Sequence, residues 1–98
     1  MIDIQDTLKE RKARYGEFKD HARITQLMKT AAKSADGWDN LTDSQREALE
    51  MIFHKIGRIL NGDPNYADSW HDISGYARLE ENILNQNKEC QNTDAPTT

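Results

Sequence analysis

Two pairs of acidic residues are the first candidates for chemistry. Glu47 and Glu50 stand three apart, and Asp68 and Asp72 stand four apart. On a helix, residues at those spacings share a face. Paired carboxylates there can share a divalent cation, because hard cations favour oxygen ligands. His54 and Arg58 continue the face of the first pair, and a guanidinium one or two turns on can hold a phosphate. Both pairs also fit plainer roles. The first lies opposite an apolar stripe, so a solvated face laced with Glu–His–Arg pairs gives the same pattern. The second lies in the first turns of its helix, where acidic groups complement the macrodipole. Gly75 and Leu79 continue that second face. A glycine costs helix stability, so Gly75 predicts close approach by another helix or a ligand.

Rings and cations lie nearby in sequence. Trp70, His71 and Tyr76 follow Asp68 closely, and a nucleobase can stack on such groups. Helical spacing assigns Trp70 and Tyr66 to the core and His71 to the surface. The segment "RKARYGEFKDHA", residues 11–22, gathers Arg11, Lys12, Arg14, Lys19 and His21 around Tyr15-Gly16. Basic side chains beside an exposed backbone turn can grip a phosphate, although Glu10, Glu17 and Asp20 dilute the charge. No Walker loop, HExxH or GxSxG motif is present, and no nucleophile–base pairing can be read from spacing. Metal-assisted chemistry is the enzyme class with local support.

The elements that must position these groups are helices. β-Branched alternation is absent, and apolar residues recur at helical spacing. The first helix covers about 3–14 and is ended or bent by Gly16. The second covers about 17–34, with Phe18, Ala22, Leu27, Met28, Ala31 and Ala32 as its stripe. "SADGWDNLTDSQ" is a turn region. Thr42 and Gln45 form a capping-box pattern at the head of a third helix. Its stripe is Leu49, Ile52, Phe53, Ile56, Ile59 and Leu60. Gly62 sits where a left-handed residue ends such a helix. Asp63 as cap and Pro64 as first helical residue then start the fourth, with Tyr66, Trp70, Ile73, Ala77 and Leu84 as its apolar face. So short a link makes helices three and four antiparallel neighbours. The reading is one helical domain over 1–85 and a disordered polar tail over 86–98.

Composition narrows the classes. The chain has 98 residues, 36% hydrophobic and 31% charged, with net charge −4. A short chain buries a modest fraction of its surface, which suggests that another copy covers part of it. The acidic balance argues against a nucleic-acid partner, not against a small anion. The single cysteine, Cys90, cannot form an internal disulfide. No apolar run approaches a membrane span and no secretory signal opens the chain. A cytoplasmic protein is the expectation.

"RYGEFKDHA" and "REALEMIFHKIGRILNGDPNYADSWHDISGYARL" resemble a family of small bacteriophage and prophage proteins of uncharacterised function. The layout is more distantly similar to the MazG-like all-α nucleoside triphosphate pyrophosphohydrolases. That resemblance implies a compact, oligomeric bundle of about four helices and Mg²⁺ held by Glu47, Glu50, Asp68 and Asp72. Glu47 and Glu50 would serve catalysis, and Lys55 and Arg58 would contact phosphates. Tyr15 and His71 join them as candidate nucleotide contacts. The second acidic pair departs from the enzymes' E-x-x-D pattern in its first acid and in its spacing. Two functions follow as expectations: a nucleotide-binding protein that hydrolyses triphosphates with Mg²⁺, or a phage anti-defence protein without enzymatic activity. The latter would sequester a nucleotide signal or inhibit a host protein in the host cytoplasm.

Overall fold

A computed structural model describes residues 3–94, with side chains through Lys88. The described residues form four α-helices and one 3-10 helix, without strands: α1 Ile4–Tyr15, α2 Phe18–Lys33, η1 Asp36–Asn40, α3 Asp43–Asn61 and α4 Ala67–Asp94. The helix thus continues past residue 85, and the tail beyond residue 94 lies outside the described residues. None of the described helices is long and apolar enough to cross a membrane.

Local chemistry explains most boundaries. Asp3 caps α1 by accepting from the Gln5 backbone N–H. Thr42 and Gln45 form the full reciprocal capping box of α3, satisfying two otherwise orphaned donors. Gly16 ends α1 with φ of 79°, a conformation that glycine adopts without a Cβ penalty. The start of α4 differs from the sequence expectation. The Asp63 carboxylate accepts from the Asn65 N–H, so "DPN" forms a turn of its own and Pro64 lies outside the helix. Gly62 is not left-handed; its φ is −129°. It is glycine because a Cβ there would strike the Arg14 carbonyl and the Tyr15 Cα.

The centre of the assembly is α3. It packs on α2 and α4 and touches α1, whereas α2 and α4 share no substantial contact. Ser44 donates to Glu80 at 2.7 Å and Lys55 pairs with Asp72 at 3.1 Å, so α3 and α4 run antiparallel. Against α2, Gly57 faces His21 and Thr25 while Glu50 meets Lys29, again antiparallel. Arg46 donates to the carbonyls of Trp38 and Asp39 at 3.2 and 3.0 Å. Those bonds pin η1 and its buried Trp38 to the head of α3.

The shape is elongated, not compact. The extents are 60 × 35 × 24 Å and the radius of gyration is 17.9 Å, against about 13 Å for a compact chain of this length. Burial departs from the apolar stripes. On α2 the buried residues are His21 and Thr25, because Gly57 removes the side chain that would hold the helices apart there. On α3 they are Lys55 and Gly57. Phe18 and Leu27 are exposed, and Trp70, expected in the core, is 56% exposed. Its indole N–H donates to the Pro64 carbonyl at 2.8 Å, which holds the ring over the α3–α4 turn. Ser69, one position earlier, takes the buried place.

Candidate anion-binding site

The site begins with two interlocked corners. Asn61, the last residue of α3, donates through its side-chain amide to the carbonyls of Tyr15 and Glu17 at 3.0 and 2.9 Å. The Asp63 N–H donates to the Arg14 carbonyl at 2.7 Å. Gly16 and Gly62 permit this approach, since a Cβ on either would meet the opposite backbone. Sequence reading assigned both glycines to helix ends. The contact that requires them joins residues 46 apart, which no local signal reports.

The corner junction fixes Tyr15. Its ring receives Arg11, with the guanidinium carbon 5.3 Å from the centroid, and Arg58 at 4.4 Å, both within cation–π range. Tyr66 meets Tyr15 edge-on at 6.2 Å and carries Arg14 over its own face at 5.0 Å. Among the described residues, Arg11 and Arg58 close no ion pair. Lys12 does, with Glu17 at 2.6 Å across the corner, and that hydrogen bond raises the Lys12 pKa.

In front of Tyr15 lies a cavity of about 410 Å³, bordered by Arg11, Tyr15, Phe18, His21, His54 and Arg58 among others. That volume is within the range of small-molecule sites. Phe18, at its edge, is 79% exposed. The two histidines face each other with centroids 5.6 Å apart. Lys29 Nζ lies 3.2 Å from His54 Nε2. An ammonium only donates, so Nε2 accepts, and the ring is neutral with its proton on Nδ1. Burial, followed by the nearby Lys29 and Arg58, lowers the His54 pKa. Burial, His54 and Arg58 lower that of His21 in the same order. His21 Nδ1 is buried against Gly57 and has no hydrogen-bond partner.

The structure distributes the candidates from sequence unevenly. Tyr15 and Arg58 come together. Lys55 does not border the cavity; it is buried and pairs with Asp72. Glu50 lies 3.6 Å from Lys29, Glu47 is exposed, and Asp68 accepts from the Tyr66 hydroxyl at 3.0 Å. That bond is the main cause of a raised Tyr66 pKa. Among the described residues no three His, Cys, Asp or Glu side chains converge where a metal ion could sit. Of the α3 face weighed as solvated, Glu50 and His54 meet Lys29 of α2 and Arg58 meets Tyr15 of α1, while Glu47 stays exposed. His71 is exposed beside a shallow groove formed with Asp72, Gly75, Tyr76 and Leu79. Nothing approaches Gly75 within the chain. Sequence reading placed Phe18 on the apolar stripe of the second helix and His54 on the face of Glu47 and Glu50, not at a ligand; an aromatic two residues after "RYG" was the available signal for Phe18.

An all-α bundle with a cationic, aromatic-lined cavity at its corner defines the class of domain. Residues 4–84 match the model of a domain of unknown function, DUF6378, and the chain belongs to that family. No curated protein and no solved structure matches it significantly.

Proposed function

We propose that the chain is a nucleotide-binding protein that holds the phosphates of its ligand at Arg11 and Arg58. The observation that carries this reading is the pair of guanidiniums stacked on Tyr15, without a carboxylate partner among the described residues, at the rim of a 410 Å³ cavity. Planar guanidiniums match phosphate oxygens in bidentate geometry. Stacking on one ring orients them in advance, so less side-chain entropy is lost on binding. Phe18 offers a face on which a base can stack. Neutral His21 and His54 can each donate one N–H and gain a proton as anionic charge arrives.

The reading assigns binding, not turnover. The four carboxylates are engaged separately: Glu50 meets Lys29, Asp72 meets Lys55, Asp68 serves Tyr66, and Glu47 is exposed. Sequestration of a small phosphorylated signal is the role that suits such a site, and a phage origin would make the host's nucleotides its targets.

The test is incubation of the full chain with a pool of ribo-, deoxy- and cyclic nucleotides, with and without Mg²⁺, followed by filtration and mass spectrometry. One nucleotide should be depleted from the filtrate and recovered intact from heat-denatured protein, without Mg²⁺. Arg58→Ala should weaken its retention by at least about tenfold, the loss of one charge-assisted contact. A pool that passes unchanged would defeat the proposal. A triphosphate converted to its monophosphate only with Mg²⁺ would replace it with pyrophosphohydrolysis.

A further inference from the structure

The net charge of −4 averages two unlike parts. Residues 1–33, through the end of α2, carry eight lysines and arginines against five acidic residues; residues 34–98 carry five against twelve. The excess is concentrated on α2, which holds Lys19, Arg23, Lys29 and Lys33 and one acid, Asp20. His21 and Thr25 turn α2 toward Gly57 of α3. On the opposite side Lys19, Arg23, Gln26, Thr30 and Lys33 recur at spacings of four, three, four and three. At about 100° per residue they form one stripe, and all five are exposed. The stripe holds no carboxylate, and among the described residues its three cations close no ion pair. From Lys19 to Lys33 it runs about 21 Å, at about 1.5 Å per residue. Phe18 stands at its head, the most exposed of the large hydrophobic side chains described, on the same cavity rim as Arg11.

We propose that this side of α2 binds single-stranded nucleic acid. Phosphates of the strand meet Arg11, Lys19, Arg23 and Lys33, and one base stacks on Phe18. A row of cations tracks a phosphate backbone, and an aromatic ring takes the face of any base. The ring decides between a strand and a duplex. In a duplex the base faces are stacked on one another, and an exposed phenylalanine gains nothing; in a single strand they are free. The acidic remainder of the chain decides where the strand lies, because it repels phosphates and confines them to α2. A charge of −4 over the whole chain conceals this face, since the cations and the acids are segregated. Lys19, Arg23 and Lys33 lie off the cavity wall, so binding of a strand is separable from retention of a free nucleotide.

Fluorescence anisotropy of a labelled oligothymidylate of about 16 nucleotides, titrated with the full chain at several salt concentrations, tests this. Four phosphate contacts predict that log K falls with log salt at a slope of about −3. Lys19→Gln combined with Arg23→Gln should halve that slope and weaken binding by at least about tenfold at about 50 mM salt. Phe18→Ala should weaken binding about fivefold or more and leave the slope unchanged. Arg78→Gln, on α4, should change neither. All four side chains are exposed, so these variants keep the fold. No binding at about 50 mM salt would overturn the proposal. So would equally tight binding of the duplex with oligoadenylate, or capture of anionic phospholipid vesicles in place of the strand. A strand bound without retention of any free nucleotide would sustain this proposal and defeat the preceding one; a nucleotide retained without strand binding would do the reverse.

Discussion

The two sides of α3 are finished to different degrees. Toward α2 and the α1–α2 corner, polar groups are partnered at defined distances: Glu50 with Lys29, Lys29 with His54, Asn61 with two carbonyls. On the other side, Leu49 and Leu60 are exposed and four further apolar residues are half covered. Hydrogen bonds and glycine contacts specify the internal arrangement of the chain. The apolar side of α3 is only half covered, and large exposed apolar side chains stand on the other helices, Phe18, Leu27 and Leu79 among them. This is unusual for an amphipathic helix, whose apolar side ordinarily faces its own core. The polar side of α3 borders the ligand cavity, and its apolar side is covered only in part.

The largest expected effect lies at the corner junction. Gly62→Ala puts a Cβ onto the backbone of Arg14 and Tyr15, which cannot move without separating α1 from α3. Chemical denaturation should show a loss of about 3 kcal/mol or more, the range of severe strain mutations. A loss below about 1 kcal/mol would show that the corner is not a specifying contact. Gly57→Ala follows. Its Cβ would lie 2.8 Å from the Thr25 methyl and 2.9 Å from His21 Cε1. Those are side-chain atoms that can yield, so about 1–3 kcal/mol is expected, as for overpacking. Asn61→Ala removes the two bonds to Tyr15 and Glu17 and should cost about 1–2 kcal/mol. It should also lower ligand retention, because Tyr15 then loses its fixed position.

Titration sharpens the contrast at smaller amplitude. The pKa values of His21 and His54 are lowered on folding, so the unfolded chain binds more protons than the folded one just below pH 6.5. Stability is therefore full above the unfolded value and declines as pH falls from about 6.5 toward the folded values. Thermal melts between pH 7.5 and 5.5 should show that decline, and His21→Phe should flatten it. An anionic ligand opposes the neighbouring cations, so its stabilisation should grow over the same interval. The smallest effect belongs to Glu47→Gln. An exposed carboxylate without an ion-pair partner among the described residues should change stability by no more than about 0.5 kcal/mol, and binding by less than twofold in titration.

The helices were legible because their punctuation is local. The capping box at Thr42, the stop at Gly16 and the period of the α3 stripe all act within a few residues, and each lies where sequence places it. The fourth helix starts three residues later than expected because the Asp63 carboxylate closes a turn instead of capping a helix. Trp70 was misplaced for a related reason: its indole N–H reaches the Pro64 carbonyl, a contact made possible by that turn. The stripe of α3 was legible as apolar but not as only half covered, since periodicity reports what a helix would bury and not what is there to bury it. In the cavity, Tyr15, Arg11 and Arg58 were legible by residue type. Their meeting depends on Asn61 and two glycines across 46 residues of chain, which only the fold supplies.

The most direct measurement is an amide NMR titration of the full chain with a nucleoside triphosphate, first without Mg²⁺ and then with it. Saturable shifts centred on Arg11, Gly16, Phe18, His21 and Arg58 are expected before any metal is added. Shifts that appear only with Mg²⁺ and centre on Glu47, Glu50, Asp68 and Asp72 would contradict that expectation, and would place the ligand at the carboxylates instead of the guanidiniums.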